Sequence, residues 1–241
     1  MKLSATQPYV MYPWLTPLVL FAMISFLGIW WGKARFVARL LTCYASIAAC
    51  ASYGVFASLF LRLLGRQSIA QWVAGRAFAA VICPLTGIRF SVMNEAALMT
   101  RPAVFISNHQ TELDIAFLGH IFPKYCSITA KKSLQYFPFL GWFMAVSGTV
   151  FIDRGNKQMA IKAFDGAVRQ MKENGQSVWI FPEGTRSYSS KPTLLPFKKG
   201  AFHLAIQGSV PIVPVVVANY AHVFNYKAQR FESGEIKIKG T

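Results

Sequence analysis

The residues of this chain best suited to chemistry sit in one octapeptide, Ser107-Asn108-His109-Gln110-Thr111-Glu112-Leu113-Asp114. On one regular helix His109 and Asp114 would face about 140° apart, at roughly 100° per residue. They can meet only if His109 precedes a helix and Asp114 lies in its first turn. The flanks allow this, because Ala103-Val104-Phe105-Ile106 reads as a strand and Ile115-Ala116-Phe117-Leu118 opens a helix. There the carboxylate takes the imidazole Nδ1–H and leaves Nε2 as a general base. The plain alternative is a capped surface loop with an incidental histidine. Ser107 and Thr111 raise the thought of a serine hydrolase, but the chain has no G-x-S-x-G elbow.

Three further clusters carry polar chemistry. Gly148–Arg154 reads as a strand ending in Asp153-Arg154, which alone is an ordinary solvated charge pair. Val178-Trp179-Ile180-Phe181 reads as a buried strand that exits into Pro182-Glu183-Gly184-Thr185-Arg186. Strand C-termini in open α/β sheets are where ligands bind; Gly184 permits close backbone approach and Arg186 offers a planar fork for phosphate oxygens. Lys198-Lys199 precede a predicted helix, where backbone N–H groups and two ammonium groups make an anion site or a solvated pair. Pro211–Val217 reads as a buried strand. His120, His203 and His222 have no fixed aspartate spacing and are taken as structural or surface residues.

Positioning these groups calls for alternating strands and helices from residue 67 onward. Strands are expected at 88–93, 103–107, 127–130, 149–152, 177–181, 211–217 and 235–239. Helices are expected at 67–83, ending before Pro84, and at 114–122, 136–146, 156–174 and 200–207. Ahead of them lie two uncharged apolar runs, 14–31 and 40–61, with Lys33, Arg35 and Arg39 between them. Each is long enough to span a bilayer, and the second suits either a helical hairpin, through its small residues, or a segment lying partly in the interface, so the anchor is one or two hydrophobic helices. The fold class is therefore α/β, a mixed sheet with flanking helices preceded by an N-terminal hydrophobic helical membrane anchor. The anchor is assigned to residues 1–66 and the α/β domain to 67–241.

Composition agrees with a membrane setting. The chain of 241 residues is 54% hydrophobic and carries a formal charge of +16. Residues 1–94 hold eight Lys/Arg and no Asp or Glu. The basic residues flank apolar runs rather than forming a solvated arm, which favours an anionic membrane surface or substrate over nucleic acid. Four scattered cysteines form no zinc spacing and suit free thiols in a reducing compartment.

In order, these pieces resemble the glycerolipid acyltransferase family. Asn108-His109 through Asp114 is similar to its N-H-x-x-x-x-D block, with Thr111 where the common form has Ser. Phe151-Ile152-Asp153-Arg154, Phe181–Arg186 and Ile212-Val213-Pro214-Val215 resemble the next three blocks. The wording at 130–134, 138–143 and 195–202 is similar to eukaryotic 1-acyl-sn-glycerol-3-phosphate acyltransferases. The resemblance implies acyl transfer from acyl-CoA to the sn-2 hydroxyl of lysophosphatidate, with His109 as base and Asp114 orienting it. It places Asn108, Arg154, Glu183, Gly184, Thr185 and Arg186 around the acceptor, with Lys198 and Lys199 beside either anion. Arg186 is then the direct phosphate fork, while Glu183 orients an Arg, a Lys or a glycerol hydroxyl. It implies no metal and no cofactor besides the acyl-CoA co-substrate. Its partners are membrane lipid, lysophosphatidate and acyl-CoA, with no nucleic acid. Its location is the endoplasmic reticulum membrane, catalytic domain on the cytosolic side. The family usually continues beyond a strand of the 235–239 type, so a domain shortened at its C-terminus is expected. Two alternatives stay open: a same-family enzyme acting on glycerol-3-phosphate or another lysophospholipid, and a non-catalytic membrane protein that binds anionic lipid.

Overall fold

A computed structural model describes residues 16–241. Lys2, Trp14 and Leu15, part of the expected anchor, lie outside the described residues. Two apolar helices come first, α1 (Thr16–Trp30) and α2 (Gly32–Leu63), then α3 (Ala70–Thr86). The α/β part follows as β1 (Ile88–Met93), β2 (Val104–Ser107), α4 (Asp114–Ile121), β3 (Cys126–Lys131), α5 (Leu140–Val146), β4 (Val150–Ile152), α6 (Lys157–Asn174) and β5 (Ser177–Ile180). It closes with α7 (Gly200–Gly208), β6 (Ile212–Val217), a short pair β7 (Phe224–Asn225) and β8 (Arg230–Phe231), and β9 (Gly234–Gly240).

Seven strands form one sheet in the order β1-β9-β6-β2-β5-β3-β4. The run β6-β2-β5-β3-β4 is parallel throughout. β9 pairs antiparallel to β6 and parallel to β1, so the sheet is mixed, as expected. The C-terminal ends of β6, β2, β5, β3 and β4 therefore share one edge, and the candidate blocks all leave the sheet there.

Central parallel strands are covered on both faces and read as continuous apolar runs. Every residue of β2 and β5 is buried. Val104, Ile106, Val178 and Ile180 meet Ala167 and Met171 of α6 and Ala201, Leu204 and Ala205 of α7. On the opposite face Phe105 and Trp179 join Phe78 and Ile82 of α3, Phe117 of α4, and Phe36 and Cys43 of α2. The boundary expected at residue 66 thus does not separate two cores. α2 lies on the domain through a stripe of buried residues from Phe36 to Ser58, and Phe143 of α5 packs against Gly54.

Two helix ends depart from expectation. Lys33, Arg35 and Arg39 do not separate the apolar helices but lie inside α2, where partners in the domain hold two of them. Arg35 pairs with Glu232 at 3.2 Å, and Arg39 donates to the Thr86 carbonyl and Ser233 Oγ. α3 continues through Pro84 to Thr86, because a proline near the last turn forfeits only one ladder bond. Gly87, at φ +67°, then ends it by donating its N–H to the Cys83 carbonyl.

α3 and α4 cross so closely that a Cβ on Gly119 would stand 2.6 Å from the Gly75 carbonyl oxygen. Ala gains about 1 kcal/mol of helix propensity over Gly, but forced overpacking against backbone costs about 1–3 kcal/mol. Gly119→Ala is therefore expected to lower the thermal unfolding midpoint, by several degrees in a calorimetric scan.

Candidate functional site

β2 delivers Ser107 to the common edge, and its hydroxyl is already engaged, accepting from the Trp179 indole N–H at 3.0 Å. The chain then turns sharply and α4 begins at Asp114. Across that corner His109 Nδ1 and Asp114 Oδ2 stand 2.6 Å apart. The side chain of Asp114 is 3% exposed and that of His109 18%. With Asp114 ionised, Nδ1 carries the proton and Nε2 keeps its lone pair. The imidazole also lies flat on Phe181, ring centroids 4.0 Å apart and planes within 17°. Two contacts at right angles, one polar and one stacked, fix the direction of Nε2.

The corner is held by its neighbours. The Gln110 N–H donates to Asp114 Oδ2 at 2.7 Å, and the Tyr220 hydroxyl donates to Oδ1 at 2.5 Å. Thr111 Oγ1 accepts from the Leu113 N–H at 3.1 Å. The His109 and Gln110 carbonyls accept from the N–H groups of Ser187 and Tyr188 on the loop after β5, at 2.9 and 3.0 Å. Gln110 Nε2 donates to the carbonyls of Val217 and Ala218, at 3.1 Å each.

Glu183 has a different task from the one expected. Its carboxylate, on a residue only 2% exposed, accepts from the His109 N–H at 2.8 Å and from the Leu195 N–H at 3.0 Å. It braces the histidine loop instead of orienting a cation or a hydroxyl. Asn108 is likewise occupied. Its amide exchanges two 2.9 Å bonds with the main chain of Val217, completing the β2–β6 ladder with a side chain.

The basic groups gather around the same edge at different distances. Gly184, at φ +68°, lies under Lys198, whose Nζ and Cε would each be 2.9 Å from a Cβ added there. Thr185, Lys198 and Lys199 are exposed, the last as N-cap residue of α7. Arg186 is engaged with Glu112 at 3.1 Å and lies near the Tyr188 hydroxyl, while its Nε is buried with no protein partner. Tyr188 also donates a short hydrogen bond to Glu112. Burial first, and then that carboxylate, raise the Tyr188 phenol above its ordinary range. Arg154 is not brought beside His109: it is exposed, beyond edge strand β4, three strand spacings or about 14 Å across the sheet. Asp153 pairs with Lys132 at 3.2 Å, and that hydrogen bond, with one from the Gly155 N–H, holds its carboxyl below the usual range.

Gln110, Phe181, Tyr188 and Tyr220 join the site without having been singled out for it. A cavity of about 520 Å³ opens beside the loop, between Leu40 and Tyr44 of α2, residues 110–112, residues 187–189 and Tyr220. Among the described residues no cluster of three or more His, Cys, Asp or Glu could hold a metal ion.

A histidine paired with a buried carboxylate, beside a glycine-containing basic loop at the C-terminal edge of parallel strands, is an arrangement chemically able to accept a proton from a hydroxyl next to an anion. The model of the Acyltransferase family matches residues 89–218, which include β2 through β6 and every group above except α2 and Tyr220. The chain belongs to the Acyltransferase family. It is 48% identical over 203 residues to 1-acyl-sn-glycerol-3-phosphate acyltransferase of Saccharomyces cerevisiae, covering 84% of this chain and 67% of that protein. It is 39% identical over 154 residues to the human 1-acyl-sn-glycerol-3-phosphate acyltransferase beta, covering 64% of this chain and 55% of that protein. The fold is shared with the crystal structure of the 1-acyl-sn-glycerophosphate acyltransferase PlsC from Thermotoga maritima. The TM-score is 0.68 at 22% identity, over 88% of this chain and 86% of that one.

The Glu183 brace leads to a specific expectation. In Glu183→Gln the amide oxygen can keep one of the two N–H partners, while the new NH₂ faces the other donor. A buried donor left unpaired costs about 1–3 kcal/mol. Glu183→Gln is expected to unfold at a lower temperature and to become sensitive to limited proteolysis between residues 187 and 197. A proteolysis pattern like that of the wild type would contradict the brace.

Proposed function

We propose that the protein transfers an acyl group from acyl-CoA to the sn-2 hydroxyl of 1-acyl-sn-glycerol-3-phosphate, giving phosphatidate and CoA. The observation that carries this reading is the 2.6 Å His109–Asp114 pair set beside the loop of Gly184, Arg186 and Lys198. The names of the yeast and human relatives support the choice of acceptor.

The proposed mechanism is built on that pair. His109 Nε2 takes the proton of the sn-2 hydroxyl as its oxygen attacks the thioester carbonyl carbon. The C–S bond breaks, and the imidazolium returns the proton to the leaving thiolate. No covalent acyl-enzyme is needed, in keeping with Ser107 being bonded to Trp179. Lys198 and Arg186 are the nearest cations for the acceptor phosphate, and Arg186 must exchange Glu112 for it. The exposed Lys199 and Arg154, and the half-buried Lys132 once released from Asp153, are the candidates for meeting the phosphates of acyl-CoA.

Membrane association accords with α2. One side of the helix is seated on the domain, while Val37, Leu41, Phe56, Phe60 and Leu63 are exposed on it. The packed stretch Phe36–Ser58 runs about 33 Å at 1.5 Å per residue, comparable to the whole hydrocarbon core of about 30 Å. A helix seated on a water-soluble domain over that length is better placed in the interface than across the bilayer. This favours the interfacial alternative for α2 over a pair of spans. The basic charge of the chain accords with an anionic cytosolic leaflet, and we place the enzyme at the endoplasmic reticulum with its domain on that side.

The test uses full-length protein in micelles with acyl-CoA and lysophosphatidate, read as release of free thiol. His109→Ala is expected to lose about 10²–10⁴-fold in kcat, the typical worth of general-base help. Equal release from wild type and His109→Ala would overturn the base assignment. Release with glycerol-3-phosphate but not lysophosphatidate would reassign the acceptor, and binding without any release would favour a lipid-binding role. Arg186→Ala is expected to raise KM for lysophosphatidate about 10-fold or more while leaving KM for acyl-CoA near wild type. Arg186→Lys is expected to recover little, because a lysine cannot make the bidentate contact.

A further inference from the structure

Asp114 is more completely held than orienting a histidine requires. Oδ2 already takes the His109 Nδ1–H and the Gln110 N–H, and Oδ1 takes the Tyr220 hydroxyl at 2.5 Å. Tyr220 comes from the far side of the sheet edge, three residues after β6, and is 1% exposed. Its oxygen stands 2.8 Å from Thr111 Oγ1. The direction of this chain follows from bookkeeping of donors. Thr111 Oγ1 accepts from the Leu113 N–H, so its own proton is free for the Tyr220 oxygen, and the phenolic proton is left for the carboxylate.

We propose that Tyr220 is a positioning residue for the His109 base, acting through Asp114 and itself oriented by Thr111. The consequence for rate rests on the acyl-transfer reading; the physical link among the four side chains does not.

Two effects are combined. The first is geometric. Without Tyr220 one carboxylate oxygen would be buried with no donor, and the contact that fixes the carboxylate plane against the imidazole would be lost. The second is electrostatic. A base in this reaction must take a proton from the hydroxyl and then return it to a thiolate. A bare buried carboxylate would hold the imidazolium too firmly for the second step, and a donor on Oδ1 withdraws charge and loosens that hold. Burial, followed by the Asp114 carboxylate, pushes the phenol well above its ordinary range, so it remains a donor at every physiological pH. The core alternative is a buried tyrosine that merely finds the nearest acceptor. It is separated from the proposal by the pH dependence, because packing alone would not set the proton affinity of the base.

Other ionisable groups around the pair must be accounted for. Glu183 meets the His109 N–H from the loop after β5. Glu112, Arg186 and Tyr188 form one cluster with each other, Lys198 covers Gly184, and Tyr44, Tyr226 and Lys227 line the adjoining cavity. Tyr220→Phe removes none of these and changes no formal charge, so a shift in the profile reports on the removed hydroxyl.

The experiment measures kcat, KM for both substrates and the pH–rate profile of full-length wild type, Tyr220→Phe and Thr111→Val in micelles. His109→Ala is run alongside. Tyr220→Phe is expected to lower kcat about tenfold, on the scale of one hydrogen bond to a charged group, with both KM values within about twofold of wild type. The acidic limb is expected to move to higher pH, because the carboxylate has lost a donor and stabilises the imidazolium more. Thr111→Val is expected to act in the same direction with a smaller amplitude, and it decides the matter if Tyr220→Phe does not fold. A Tyr220→Phe enzyme with an unmoved acidic limb would overturn the proposal, whatever its stability. The pH at which the imidazole protonates is read separately by NMR on selectively labelled protein. If wild type and His109→Ala release thiol equally, the acyl-transfer reading fails. The NMR midpoint still decides the Tyr220 link: an upward shift in the variant sustains it, and none removes it.

Discussion

His109 and Asp114 are separated by five residues, a spacing that no helix and no strand can close. Their 2.6 Å contact requires a strand to end and a helix to begin within that interval, and nearly every other feature of the fold serves that corner. β2 must be rigid up to its last residue, and it is, being buried on both faces between α6–α7 and the helices opposite. α4 must start at Asp114 and press closely on α3, which the Gly75–Gly119 crossing allows. The turn between them also takes partners from elsewhere: Val217 at the end of β6 on one side, Ser187 and Tyr188 after β5 on the other. His109 is placed by tertiary structure because its own segment is too short to place it.

Two carboxylates at the centre of this arrangement are almost wholly buried, Asp114 and Glu183, each 2% exposed. Burying a charge is tolerated only where hydrogen bonds replace the lost water. Both groups meet that condition, and neither does so with a lysine or arginine. Asp114 takes the imidazole, an amide N–H and a phenol; Glu183 takes two amide N–H groups. The cations remain outside this inner layer. Lys198, Lys199 and Arg154 are exposed, and the one arginine drawn inward is matched by Glu112. The separation is physically useful. Cations paired with the inner carboxylates would be lost to the substrate, whereas cations left at the rim keep their affinity for phosphate.

What could be read from the sequence was what lies close along the chain. The His109–Asp114 corner was legible because both partners and both apolar flanks fall within sixteen residues. The sheet's strands were legible as well, since buried parallel strands announce themselves as short apolar runs. The Glu183 brace and the Tyr220–Asp114 contact were not. Glu183 stands in a loop beside a glycine and an arginine, where a carboxylate commonly faces a ligand, and nothing local shows that its partners are the N–H groups of His109 and Leu195. Tyr220 lies 106 residues from the aspartate it touches, at the end of a strand whose place beside β2 is a matter of topology. The charges at 33–39 suggested a break between two helices. A break does occur, but at Trp31, and those charges instead lie on α2, two of them reaching partners in the domain. Two-residue strands such as β7 and β8 carry too little pattern to be seen at all.

α2 links the apolar N-terminal region to the chemistry more directly than a tether would. Phe36 and Cys43 belong to the same core cluster as Phe105, Phe117 and Trp179, so the helix cannot swing away from the sheet without opening that core. Between those anchor points, Leu40 and Tyr44 face the cavity whose other walls are residues 110–112 and Tyr220. One helix therefore presents an apolar outer face, fills part of the core and walls the space beside the base. For the acceptor proposed above, this arrangement has a simple consequence. A lysolipid whose chain stays among the apolar side chains of α2 brings its glycerol hydroxyl to the level of His109 without leaving the lipid phase completely. The headgroup phosphate, which cannot follow the chain into that phase, is left to the basic groups of the loop after β5, Arg186 first among them in that proposal.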